Sequence, residues 1–215
     1  KKAKKKGIDT KKLVTLVSQS KAKVVVREPS QQQLANLLDH YNNGRFADAE
    51  KLAVSITEEF PQHEYAWKIL GAVLGSTGKK PEAVNAYQTA VALSPKDAIV
   101  HCNFGVTLQE LGRLDESETS LRQAIALRPD ATEAHNNLGA TLQELGRLDE
   151  AETSLRQAVA LKPDHANAYY NLGNTLEELR KFVEARASYK QAIALKPNYA
   201  EAHNNLGATL KELGR

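Results

Sequence analysis

Apolar and polar residues along most of this chain keep a helical period, and the pattern itself recurs. Five prolines, Pro61, Pro95, Pro129, Pro163 and Pro197, stand 34 residues apart. The text between them repeats as well. LQELGRLDESETSLRQAIALRPD (108–130) returns as LQELGRLDEAETSLRQAVALKPD (142–164), and HNNLGATL at 135–142 returns at 203–210. A fixed period of this length marks a solenoid, whose units bury their apolar faces against one another.

With the recurring proline placed at position 32, the full units are 30–63, 64–97, 98–131, 132–165 and 166–199, followed by a half unit, 200–215. Each unit predicts two helices. The first covers about positions 1 to 14 and stops at a glycine at position 15 (Gly44, Gly78, Gly112, Gly146, Gly214), with Arg180 as the exception. The second begins near position 18, where Asp48, Asp115 or Asp149 supplies an acid or Pro81 a first-turn proline, and is broken by the periodic proline. Asp130 followed by Glu133 suggests a capping box for the next first helix. Small residues recur where helices must approach: Gly71, Gly105, Gly139, Gly173 and Gly207 at position 8, and Ala90, Ala124, Ala158 and Ala192 at position 27. The fold class is therefore all-α, a helical-repeat solenoid.

At 100° per residue, positions 4, 7, 8 and 11 of the first helix lie within about 50° of one direction, while positions 2, 6, 9 and 13 fall opposite. The first set is the packed face: Trp67 or histidine, Leu70, Gly71, Leu74 and their equivalents. The second set is free, and stacking aligns it into one surface that solenoid curvature makes concave. Down that surface, position 6 gives Ile69 and then Asn103, Asn137, Asn171 and Asn205. Position 13 gives Ser76 and then Glu110, Glu144, Glu178 and Glu212. Position 9 is small except for Val106 and Asn174, and position 2 includes Glu133, Asn167 and Glu201. Asparagine is a poor mid-helix residue, costing roughly 0.6 kcal/mol against alanine. Its amide donates and accepts at once, which suits the backbone of an extended peptide. Tandem duplication alone would also copy such a row, but positions 2, 5 and 9 have diverged while position 6 stays asparagine from Asn103 onward. If the glutamates line the groove, they favour a partner carrying Lys or Arg; otherwise they are solvated charges near a helix end.

Trp67, Leu70, Gly71, Ala83, Tyr87, Ala90 and Pro95 resemble the tetratricopeptide repeat (TPR) signature, and residues 64–215 follow it closely. Unit 30–63 matches in its second helix (Gly44, Phe46, Ala49, Pro61) but has Leu37 where glycine is expected, so it is read as a cap. The resemblance implies a right-handed superhelix and a protein-interaction role. The asparagine row also resembles the one in the TPR superhelix of O-GlcNAc transferases. That likeness implies that Asn103, Asn137, Asn171 and Asn205 contact substrate backbone, and that the chain is the recognition arm of a larger transferase. The carboxylate clamp of chaperone-binding TPR domains is matched only by Lys68 and Asn103; Asn136 and Ala140 stand where its basic pair belongs.

Composition narrows the remaining choices. The chain has 215 residues and a formal charge of +3, split between ten basic and two acidic residues in 1–29 and a mildly acidic body. Five of the first six residues are lysine, so 1–29 is read as a basic, solvated arm; Leu13 to Val17 suggest a short helix there and Val24 to Val26 a packing contact. The arm is the sole feature that suits nucleic acid, acidic lipid or an acidic protein surface, and nucleic-acid binding stays an alternative that rests on it alone. One cysteine excludes a disulfide framework and a zinc ribbon. No apolar run long enough for a membrane helix and no signal peptide is present, which leads to a cytoplasmic expectation. His101, His135 and His203 at position 4 sit one layer apart, too far to share a metal, and are read as packing residues. Cys102 has no base beside it, and no phosphate loop or hydrolase motif is found. The expectation is a non-enzymatic scaffold without cofactor or metal, binding a protein or peptide in its groove. Because the chain starts without methionine and stops at Arg215 after a lone first helix, it is further expected to be a fragment, or to stack end to end on another copy.

Overall fold

The computed structural model describes residues 28–214. The basic arm, with its expected helix around Leu13 and its valine run, falls almost wholly outside the described residues. Eleven helices follow one another without strands among the described residues. The first helices are α1 (Gln31–Asn42), α3 (Glu64–Ser76), α5 (Ala98–Gln109), α7 (Thr132–Glu144), α9 (Ala166–Glu178) and α11 (Ala200–Glu212). The second helices are α2 (Phe46–Glu59), α4 (Lys80–Leu93), α6 (Leu114–Leu127), α8 (Leu148–Leu161) and α10 (Phe182–Leu195). Each first helix except α11 packs on the second helix of its own unit, and each second helix packs on the next first helix. Successive first helices also touch, whereas successive second helices do not. The array is therefore tighter on the first-helix side, which makes that side the inner, concave one.

Close approach within each unit is set by position 8. A Cβ added at Gly71 would lie 2.8 Å from the Tyr87 ring, at Gly105 2.6 Å from Leu121, at Gly139 2.4 Å from Leu155 and at Gly173 2.5 Å from Tyr189. Only glycine fits there. The alanines at positions 20 and 27 are fully buried where the helices cross, for the same steric reason.

Position 4 does more than fill space. The Trp67 indole N–H donates to the Pro61 carbonyl at 2.9 Å. The Nε2 atoms of His101, His135 and His203 make the same bond to Pro95, Pro129 and Pro197, at 3.1, 3.0 and 2.9 Å. Tryptophan and histidine exchange freely because each offers a ring N–H to the carbonyl of the proline that ended the previous helix.

Position 15 turns the chain with a positive φ, between 69° and 79° at the five glycines and 60° at Arg180. A left-handed backbone costs a non-glycine residue about 1 kcal/mol. Arg180 recovers part of this by lying over the Phe182 ring, 5.7 Å from its centroid. Arg180→Gly is expected to raise stability by about 0.5 kcal/mol in urea unfolding; a loss would show that the ring contact outweighs the strain. The capping box expected at Asp130 does not form. Helix α7 starts one residue later, with Ala131 at the N-cap and no side-chain cap, so Asp130 lies outside the first turn. The one complete capping box among the described helices is Ser30 with Gln33, at the start of α1.

On the outer side, the cation at position 16 of one unit reaches back to the glutamate at position 21 of the previous one. The pairs are Lys79–Glu50 at 2.6 Å, Arg147–Glu118 at 2.7 Å and Lys181–Glu152 at 2.7 Å. At Glu152, desolvation opposes ionisation, but the bonds from Lys181 and Arg156 outweigh it and hold the carboxyl below its ordinary 4.5. Its contribution is fully present above that ordinary value and is lost as pH falls through the lower, folded-state value. Acid unfolding of the parent below about pH 4.5 is therefore expected to be steeper than that of Glu152→Gln. Equal pH slopes for the two would remove this contribution.

Candidate peptide-binding groove

The free positions of α5, α7, α9 and α11 line the inner face. Asn103, Asn137, Asn171 and Asn205 are all half-buried there, in register from unit to unit. The structure shows what flanks each of them. Asn137 Nδ2 points at the Cys102 sulfur, 3.9 Å away. Asn171 Nδ2 donates to Asn136 Oδ1 at 3.0 Å, and Asn205 Nδ2 contacts the Tyr170 hydroxyl at 3.5 Å. All three reach the side chain at position 5 of the preceding unit. Asn103 instead lines a pocket together with Tyr87. The asparagines thus form a ladder that ties neighbouring first helices together. Each amide has more donors and acceptors than one rung uses. Burial raises the Cys102 thiol above its ordinary value, so this cysteine stays protonated beside Asn137.

Glu110, Glu144 and Glu178 are exposed along the same face but are not simply solvated. Gln109 donates to Glu144 at 2.7 Å, Gln143 donates to Glu178, and Lys80 pairs with Glu110 at 3.3 Å. A second ladder therefore runs from position 12 of one unit to position 13 of the next. Glu212 is exposed and Asn167 is exposed on the first turn of α9. Asn174 lies at the heart of the last pocket, accepting from Tyr189 and Asn205 at 2.9 Å each.

Two features are not evident from the sequence pattern. The tyrosines at position 24, Tyr87 and Tyr189, are buried, but their hydroxyls emerge between neighbouring first helices, past the position 8 glycine. Desolvation raises both phenols far above their ordinary value; at Tyr189 the adjacent Glu177 carboxylate adds to this. The available signal is the change from leucine (Leu121, Leu155) to tyrosine at a position facing a glycine. The second feature is that the glutamate row has amide partners, legible only once the 35-residue register is known.

Three open pockets lie along the first-helix side. One of about 270 Å³ is lined by Tyr41, Tyr87, Asn103 and Glu110 among others. One of about 360 Å³ is lined by Ile99, Cys102, Asn103, Arg128, Asp130 and Glu133 among others. One of about 440 Å³ lies between α9 and α11, lined by Gln143, Asn174, Glu177, Glu178, Tyr189 and Asn205. A larger cavity of about 520 Å³ sits on the outer side between α4 and α6, against His101 and Phe104. Lys68, one of the two residues shared with a carboxylate clamp, is paired with Asp97 at 2.8 Å. No group of His, Cys, Asp and Glu able to hold a metal occurs among the described residues, and no described helix is long and apolar enough to cross a membrane.

Comparison with known proteins agrees with this architecture. Tetratricopeptide repeat profiles match residues 130–198 and 188–215, and a TPR repeat profile matches 71–112 and 108–146. No curated protein matches the sequence significantly. Among solved structures, MamA is 21% identical with a TM-score of 0.68, covering 76% of this chain and 95% of that one. YrrB, described as a TPR protein with an unusual peptide-binding site, is 20% identical with a TM-score of 0.69, covering 89% and 95%. TTC0263, a thermophilic TPR protein of Thermus thermophilus, is 25% identical with a TM-score of 0.65, covering 84% and 98%. With the 34-residue period, the paired helices and the profile matches across 71–215, the chain belongs to the tetratricopeptide repeat family.

Proposed function

We propose that the inner face binds an extended segment of a partner protein and that the chain works as an interaction scaffold rather than as a catalyst. The observation that carries this is the half-buried asparagine row, held in register by bonds to the preceding unit. A side chain fixed in this way loses little further rotamer freedom when a ligand arrives, so its remaining donors and acceptors are preorganised for a peptide backbone. Half-buried amides also compete less with water than exposed ones. The unusual peptide-binding site described for YrrB, a protein of the same fold, is consistent with this role.

The test is Asn137→Ala combined with Asn171→Ala, assayed against peptides selected by display on the parent chain. Affinity is expected to fall by about tenfold, with helicity by circular dichroism unchanged. Unchanged affinity would remove the asparagines from the binding site.

A further inference from the structure

The last full unit breaks a pattern that the two before it keep. Gln109 bonds Glu144 and Gln143 bonds Glu178, each across 35 residues. The same register would next join residue 177 to Glu212, but residue 177 is glutamate. Two carboxylates cannot form that rung, and none forms: Glu177 turns aside and accepts from the Tyr189 hydroxyl at 2.7 Å. Three departures from unit 132–165 meet here: Asn174 for Ala140, Glu177 for Gln143 and Tyr189 for Leu155. They line the pocket of about 440 Å³ between α9 and α11.

The pocket is short of protons. Tyr189 is completely buried, and its hydroxyl has one hydrogen facing two acceptors, Asn174 Oδ1 at 2.9 Å and Glu177 Oε2 at 2.7 Å. Asn205 already spends an N–H on Asn174. Glu177 is left with Tyr189 as its sole donor among the described residues, Glu178 has only Gln143, and no cation is among the residues lining the cavity. A ligand that brings several N–H donors and a positive charge would relieve both deficits.

We propose that this pocket takes the guanidinium group of an arginine side chain presented by the bound peptide, so that the groove selects for arginine at the register facing α9 and α11. The proposal rests on the reading of the inner face as a peptide groove and adds a side-chain preference to a row that otherwise reads backbone. Guanidinium suits the site better than ammonium because its planar fork can span Glu177 and Glu178 and still reach Asn174.

The test uses acetyl-Ala-Arg-Ala-amide and its citrulline counterpart, which has nearly the same shape without the charge. Binding is followed by nuclear magnetic resonance up to millimolar peptide. The arginine peptide should shift the side-chain amides of Gln143, Asn174 and Asn205 and the backbone of 177 and 178. The citrulline peptide should bind about fivefold more weakly. Glu177→Gln restores the residue that the two preceding units carry, so folding is not at risk. It should lower arginine affinity by a similar factor and create a rung from residue 177 to Glu212. Absent shifts, equal affinity for the two peptides, or an unaffected Glu177→Gln variant would each overturn the proposal. Loss of the arginine preference with retention of asparagine-dependent peptide binding would sink this inference and leave the groove standing. The reverse result would do the opposite.

Discussion

Gly139→Ala is expected to destabilise the array by about 2 kcal/mol, while Gly207→Ala, at the same place in an identical HNNLGATL segment, is expected to stabilise it by up to about 1 kcal/mol. At Gly139 the new methyl carbon would sit 2.4 Å from Leu155 Cγ and 2.8 and 3.1 Å from its two methyl groups. Leu155 is fully buried and cannot swing away. Relief requires α7 and α8 to move apart, which opens contacts along their whole interface. Overpacking of this kind costs about 3 kcal/mol, against a gain of about 1 kcal/mol from helix propensity. At Gly207 an added Cβ meets nothing within 4 Å, because no second helix follows α11 among the described residues. Only the propensity gain remains. Urea midpoints of the two variants, with hydrogen exchange to localise the loss to α7 and α8, check the pair. A destabilised Gly207→Ala or a neutral Gly139→Ala would mean that the close approach is not what demands glycine.

Trp67→Ala is expected to cost about 3 kcal/mol, and Trp67→His roughly half of that. The indole packs on the first core cluster, with Leu37, Ile56 and Leu70 among its members, and its N–H satisfies the Pro61 carbonyl. Alanine loses both contributions. Histidine keeps the bond, as His101, His135 and His203 do at their own prolines, and loses only apolar contact. Because neighbouring units couple in a solenoid, the loss should be felt first in units 30–63 and 64–97. Equal losses for the two variants, read by chemical unfolding, would assign position 4 to packing alone.

These two cases also mark what is legible in the sequence alone. The prolines, the position 15 glycines and the small residues at positions 8, 20 and 27 state the period, the helix ends and the crossings, because each is forced by backbone or steric limits within one unit. What depends on the neighbouring unit is hidden. Gly139 and Gly207 look alike in sequence and differ only in what covers them. The position 4 histidines read as packing residues in sequence; His101 is buried, His203 is exposed, and what all three share, a bond to a proline carbonyl, is not legible. The asparagine row is visible as a row, while its anchoring to Cys102, Asn136 and Tyr170 needs the lateral register between units. Tyr189 looks like a core filler, and only the space beside Gly173 shows that its hydroxyl reaches the groove.

The most direct test of the groove is a chemical-shift map of the 215-residue chain with a peptide selected on it by display. The side-chain amides of Asn103, Asn137, Asn171 and Asn205 should be perturbed, with α4, α6 and α8 largely silent. Shifts concentrated on those second helices, with the four amides unmoved, would contradict it.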